Sequence, residues 1–231
     1  MCESHIQVNK KILIAVKSCH RDRFMHPWIM GTWGSLSSYY DWVDIKFFVG
    51  TPRLEHVATH EVSVPAADDY DSLTSKVDAI LNYFVTVPEY THIFQCDTDT
   101  YVDILKLVQA FTGREEYVGF TGMNGVEGAA HGGTGYWLSR ASVLEVLRRA
   151  TRDNIQQTKQ DEWWVYERLQ EAGIAPTHDD RYSLLTTPSR AHSCITYHDS
   201  RIRTDLKLLL HWYRMSAPES IPPQTPHPLP N

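Results

Sequence analysis

Two carboxylates one residue apart, Asp97 and Asp99, close an apolar run from Ile93 to Cys96. That pattern predicts a buried strand that stops at a cleft and presents charge there. Carboxylates so close repel each other and resist joint ionisation. A divalent cation between them removes the conflict, and oxygen ligands suit Mg²⁺ or Mn²⁺. A metal held this way would in turn hold an anion such as a diphosphate, so a nucleotide-sugar site is the working reading. The competing reading is a turn in which short acidic side chains cap the backbone.

The elements around this pair must position it. Lys11–Lys17 (KILIAVK) reads as a buried first strand, and the polar Ser18–Arg23 loop lies at its carboxyl end, where ligand sites gather in open α/β sheets. His26–Gly34 is expected to form a short helix, with Pro27 near its start and Gly34 past its end. Val43–Val49 is a second strand and Val57–Val64 a third. Leu73, Val77, Ile80, Leu81 and Phe84 recur at helical spacing behind Ser72 as the cap. Ile104–Phe111 is helical with Gly113 as its stop, and Tyr117–Thr121 is another strand.

Gly122–Gly135 holds six glycines, a lid or a place where backbone approaches a ligand closely. It lacks the Gly-Lys-Ser/Thr of a Walker loop. Helices are expected at Ala141–Ala150 and at Asp161–Ala172, the latter ended by Gly173. The alternation of strands and helices implies a largely parallel sheet covered on both faces. The expected organisation is an N-terminal extension over 1–9, one domain over 10–214, and a proline-rich disordered tail over 215–231.

Composition bounds the rest. The 231 residues, 42% hydrophobic and 22% charged, are those of an ordinary globular chain with a real core. A net charge of −6 gives no global drive toward DNA or anionic membrane. Cys2, Cys19, Cys96 and Cys194 form no paired spacing, with Cys19 and Cys96 reading as buried small hydrophobes, so a reducing compartment without a disulfide framework is expected. The longest early apolar run, Ile12–Val16, is too short to span a bilayer and no signal peptide stands at the start. The expectation is a soluble, cytoplasmic protein.

Several local patterns then fall in one order. Val16-Lys17-Ser18, Thr32-Trp33-Gly34, Ser72-Leu-Thr-Ser-Lys76, Asp97-Thr-Asp-Thr-Tyr-Val102 and Gly132-Gly-Thr-Gly-Tyr136 with Ser139 are followed by Asp161-Glu162, Leu169, Gly173-Ile174 and His178-Asp-Asp-Arg181. Together they resemble the Fringe and β-1,3-galactosyltransferase group of glycosyltransferases across most of residues 10–200. The resemblance implies a GT-A-type (Rossmann-like) α/β fold, a mixed, mostly parallel central sheet flanked by helices in a single domain. It departs from the family in three places. His26, Trp28 and Met30 stand where the family has arginines before Thr-Trp-Gly, Thr98 stands for its middle Asp, and Glu162 aligns with its catalytic Asp. The missing membrane anchor and secretory cysteines of Golgi members point to a bacterial, phage or viral relative.

What the resemblance implies for the site is specific. Asp99 would coordinate Mn²⁺ directly and Asp97 would touch the metal or the ribose. His198 would be the third ligand, with His192 as the fallback. Glu162, with Asp161 second, would take the acceptor hydroxyl's proton in an inverting transfer; the other reading is that both acids favour a helix N-terminus. Lys17 and Lys76 would touch the diphosphate, and Gly132 and Gly133 would line the acceptor side. Trp163 and Trp164 read as either a sugar platform or core, and Asp179 and Asp180 before Arg181 as a turn and an ion pair.

The implied enzyme is a hexosyl- or N-acetylhexosaminyltransferase with a UDP-sugar donor and Mn²⁺ or Mg²⁺. Its acceptor would be a hydroxyl on a glycan, protein, lipid or modified nucleobase, and the acidic balance gives a DNA acceptor no support. The alternatives are a non-catalytic nucleotide-sugar or carbohydrate-binding module, and a metal-dependent phosphohydrolase. The last needs more ligands than one acidic pair supplies.

Overall fold

A computed structural model describes residues 11–51, 58–121, 128–184, 193–203 and 205–216. The expected extension over 1–9, His192, Cys2, the first glycines of the 122–135 run and nearly all of the 215–231 tail lie outside these residues. The chain runs β1 (Lys11–Lys17), α1 (Met25–Met30), β2 (Val43–Thr51), β3 (Glu61–Ala67), α2 (Leu73–Thr86), β4 (Tyr90–Asp97), β5 (Thr100–Val102), α3 (Ile104–Ala110), β6 (Tyr117–Gly119) and β7 (Tyr136–Ser139). There follow α4 (Arg140–Arg149), α5 (Arg152–Gln157), α6 (Asp161–Gln170), β8 (Thr177–His178), β9 (Tyr182–Ser183), β10 (Thr196–His198) and α7 (Leu206–Ser216).

Seven strands form one sheet in the order β3-β2-β1-β4-β7-β6-β8, and β5-β10-β9 form a small second sheet. β3, β2, β1 and β4 are parallel neighbours, whereas β7 runs antiparallel between β4 and β6. The domain is therefore mixed α/β with a mostly parallel central sheet, as expected.

Strand β1 explains why the sheet sits where it does. Its side chains alternate between two apolar layers. Ile12, Ile14 and Val16 pack with Trp33, Phe47, Phe94 and Trp137 on one face, while Leu13 and Ala15 pack with Val77, Ile80, Leu81 and Phe84 of α2 on the other. A strand buried on both faces reads as a continuous apolar run, which is what KILIAVK is. The register places Lys17 opposite Asp97, so both central strands end at the same level. Charge and cleft are thus set by where two apolar runs stop.

Four expectations shift. The third strand runs Glu61–Ala67 rather than 57–64; it is the sheet's edge, where Pro65 is tolerated. Ser72 does not cap α2. A 3-10 turn over Tyr70–Ser72 precedes the helix, and Asp69 accepts the Ser72 N–H at 2.9 Å. The 26–34 segment divides into α1 and a 3-10 stretch over Trp33–Tyr39, because the backbone leaves the helical conformation at Thr32 (φ −122, ψ −116) between them. Cys96 is buried, but Cys19 is only partly so and lines a cleft; Cys19 and Cys96 are free thiols. Among the described residues, no helix is long and apolar enough to cross a membrane.

Candidate active site at the strand ends

A cleft of about 670 Å³ opens beyond the carboxyl ends of β1 and β4. It is lined by Lys17, Lys76, Asp97, Gly132, Gly133, Asp161, Glu162 and His198, all named from the sequence, and also by Asp22, Asp68, His131 and Arg203, which were not. The position follows the rule for open α/β sheets.

Asp97 and His198 of its lining, with the buried Asp99, bring one donor atom each to within 4.8 Å of one another. Three elements converge to do this. β4 ends at Asp97, and β10 lies antiparallel to β5 with His198 opposite Thr100. Thr100 Oγ1 donates to the Gly133 carbonyl at 2.6 Å, tying the glycine loop to the same point. A Cβ on Gly133 would fall 2.8–3.0 Å from three atoms of the His198 ring, so this glycine is required for the imidazole to sit there.

The donor set fits a divalent cation. Asp99 Oδ1 and His198 Nδ1 are 3.4 Å apart, shielded from solvent, and neither has a hydrogen-bond partner. Unpartnered buried polar atoms are rare and costly, and two carboxylates with an imidazole suit Mn²⁺ or Mg²⁺. Burial and then the charge of Asp97 push the Asp99 carboxyl up. Burial also works to raise Asp97, but Lys17, then His198 and Arg203, outweigh it and hold that carboxyl down.

Both lysines are already committed to carboxylates. Lys17 Nζ donates to Asp161 Oδ2 at 2.6 Å and stands 3.2 Å from Asp97 Oδ1. Lys76 Nζ donates to Asp68 Oδ1 at 2.6 Å and to the Ser18 carbonyl at 2.7 Å. Asp68 also accepts the N–H groups of Gly50 and His20, stapling the ends of β1 and β2 to α2.

Across the cleft, α6 opens with its two acids. Asp161 is buried and held by Lys17, whereas Glu162 is half-buried at the mouth near Gly132. Burial, then the neighbouring Asp161, push the Glu162 carboxyl up to about 7. His131 is held neutral, its ring pushed down to about 4 by burial and then by His198. Trp164 is core, its Nε1 donating to Asn154, while Trp163 packs on Tyr166. Asp179 and Arg181 form the expected turn and ion pair.

A second polar chain lies under the β1 end. Ser18 Oγ and His26 Nε2 are 2.7 Å apart, His26 Nδ1 is 2.8 Å from Glu61, and Arg23 grips the same carboxylate. Arg23 and His26 hold Glu61 down at about 2 against its burial.

Solved structures share this architecture. A glycosyltransferase involved in the glycosylation of the major capsid of PBCV-1 superposes with a TM-score of 0.53 at 13% identity, over 87% of this chain and 98% of that one. The fold is a glycosyltransferase fold. The glycosyltransferase GlyE of Streptococcus pneumoniae TIGR4 gives TM-scores of 0.52 in its apo form and 0.53 in a second structure, at 12% and 11% identity. Each GlyE match covers 91% of this chain, which spans 61% of the GlyE chain. No protein-family model and no curated protein matches the sequence.

Proposed function

We propose that this chain is an inverting, Mn²⁺-dependent glycosyltransferase that moves a hexosyl or N-acetylhexosaminyl group from a UDP-sugar to a hydroxyl acceptor. The observation that carries the reading is the Asp97–Asp99–His198 cluster at the strand ends, facing Glu162 across one cleft. Asp97, Asp99 and His198 would hold the cation, which when bound supplies positive charge to the departing nucleoside diphosphate.

Glu162 is the general base. Its carboxylate takes the acceptor hydroxyl's proton as that oxygen attacks the anomeric carbon, and a group titrating near 7 is matched to that task. Asp161 is the weaker candidate because Lys17 already holds it. Its role is positional: by fixing Lys17 it orients the start of α6, and its charge raises the affinity of Glu162 for the transferred proton. Gly132 leaves the space between Lys17 and Glu162 open for the acceptor.

A binding module would need the cluster but not the base, so Glu162 separates the two classes. The deciding assay is Mn²⁺-dependent UDP release from a panel of UDP-sugars with mixed glycan, lipid and peptide acceptors, with the product anomer read by NMR. Transfer with inversion supports the proposal; transfer with retention contradicts the inverting mechanism, and binding without turnover for every donor favours the module.

A further inference from the structure

Arg203 belongs to no motif, yet its guanidinium lies within the acidic cluster. Its Nε is 2.9 Å from Asp99 Oδ2, and its Nη1 is 3.6 Å from Asp22 Oδ2. The Asp99 contact is an ion pair without hydrogen-bond geometry, since Arg203 Nε is itself buried and lacks a hydrogen-bond partner. One oxygen of Asp99 therefore faces His198 and the other faces a fixed positive charge.

That arrangement has a consequence for any cation at Asp97, Asp99 and His198. A dication and a guanidinium sharing one carboxylate repel strongly at the dielectric of a protein cleft. Either the cation binds weakly, or the guanidinium leaves Asp99. A diphosphate resolves the conflict, because it offers oxygens to the planar guanidinium fork.

The local structure allows that exchange without moving backbone. Arg203 closes the 3-10 turn Ser200–Arg203, which is anchored by the fully buried Ile202 and by the Asp199 N–H donating to the Asp99 carbonyl. The Arg203 side chain itself is 35% exposed at the cleft mouth. Asp22 keeps other partners when it departs, since Thr98 Oγ1 donates to it at 3.3 Å and Arg21 lies 3.6 Å away.

Resting on the glycosyltransferase reading, we propose that Arg203 is the internal counter-ion of the metal site and couples metal binding to diphosphate binding. It opposes a divalent cation that arrives alone and favours one that arrives with a nucleoside diphosphate. Coupling of this kind is reciprocal and commonly amounts to about 5–150-fold in affinity.

The test is calorimetric, on the full chain, with Mn²⁺ alone and then UDP in the presence of Mn²⁺, for wild type, Arg203→Ala and Arg203→Lys. The expected result is opposite movement in Arg203→Ala: Mn²⁺ alone binds about tenfold tighter, and UDP with Mn²⁺ about tenfold weaker. Arg203→Lys keeps the charge and keeps Mn²⁺ alone weak, which guards against a folding defect in the alanine variant. Both affinities moving in one direction in Arg203→Ala, or neither moving, overturns the proposal while Mn²⁺-dependent UDP binding by wild type leaves the transferase reading standing. No Mn²⁺ binding by any variant, either alone or together with UDP, overturns both.

Discussion

Burial and the Asp161 carboxylate push Glu162 up to about 7, and that shift has two readable consequences. A base must be unprotonated to act, so turnover should rise as pH passes through about 7. Glu162→Gln should lower kcat by about 10²–10⁴. The same shift is a stability statement. A carboxyl that holds its proton more tightly folded than unfolded is an advantage below its unfolded pKa, and that advantage is lost as pH rises through the folded value. Glu162→Gln should therefore be more stable than wild type at pH 8, by on the order of 1–3 kcal/mol, with the difference vanishing near pH 4. Denaturant melts at the two pH values check this; a variant destabilised at pH 8 would remove Glu162 as a strained, functional carboxyl. At this scale the sequence was partly legible. Asp97, Asp99 and the Asp161–Glu162 pair stand out because strand ends and helix starts expose acids in recognisable places. Asp22, Glu61 and Arg203 leave no such trace, since the pairs that place them, Asp22 with Arg203, Glu61 with His26 and Arg203 with Asp99, join residues 35 or more apart in the chain.

The elements that aim these groups are held by a few close approaches. Gly135 has φ +83 and no space for a Cβ, which would fall 2.4 Å from Phe94 Cζ and 3.0 Å from the Gln95 carbonyl. Gly135→Ala should destabilise the fold by about 2–4 kcal/mol, combining left-handed backbone strain with overpacking. It should also loosen the loop that carries Gly133 beneath His198. A thermal melt of the unliganded chain measures the first effect, and an unchanged midpoint would contradict the packing described. Long periodic elements were legible: α2, α3, β1 and β4 appear close to where their apolar spacing puts them. Of the short ones, β6 falls within the strand expected at Tyr117–Thr121, but others were not legible. Tyr136–Ser139 becomes an antiparallel strand between β4 and β6, and four residues carry too little periodicity to reveal a strand. β10 likewise follows from tertiary pairing rather than local pattern.

For the whole molecule, one sheet sandwiched between two apolar layers explains the location of the cleft, and its fold is one that solved glycosyltransferases share. The net charge of −6 gives the acceptor no electrostatic signature, so acceptor identity was never legible. The proposed function requires a metal-assisted diphosphate site at the β4 end. Calorimetric titration of UDP with and without Mn²⁺, on wild type and Asp99→Ala, tests that most directly. The expected result is UDP binding that requires Mn²⁺ and is abolished in a folded Asp99→Ala. UDP binding that is indifferent to Mn²⁺ and to Asp99 would contradict it.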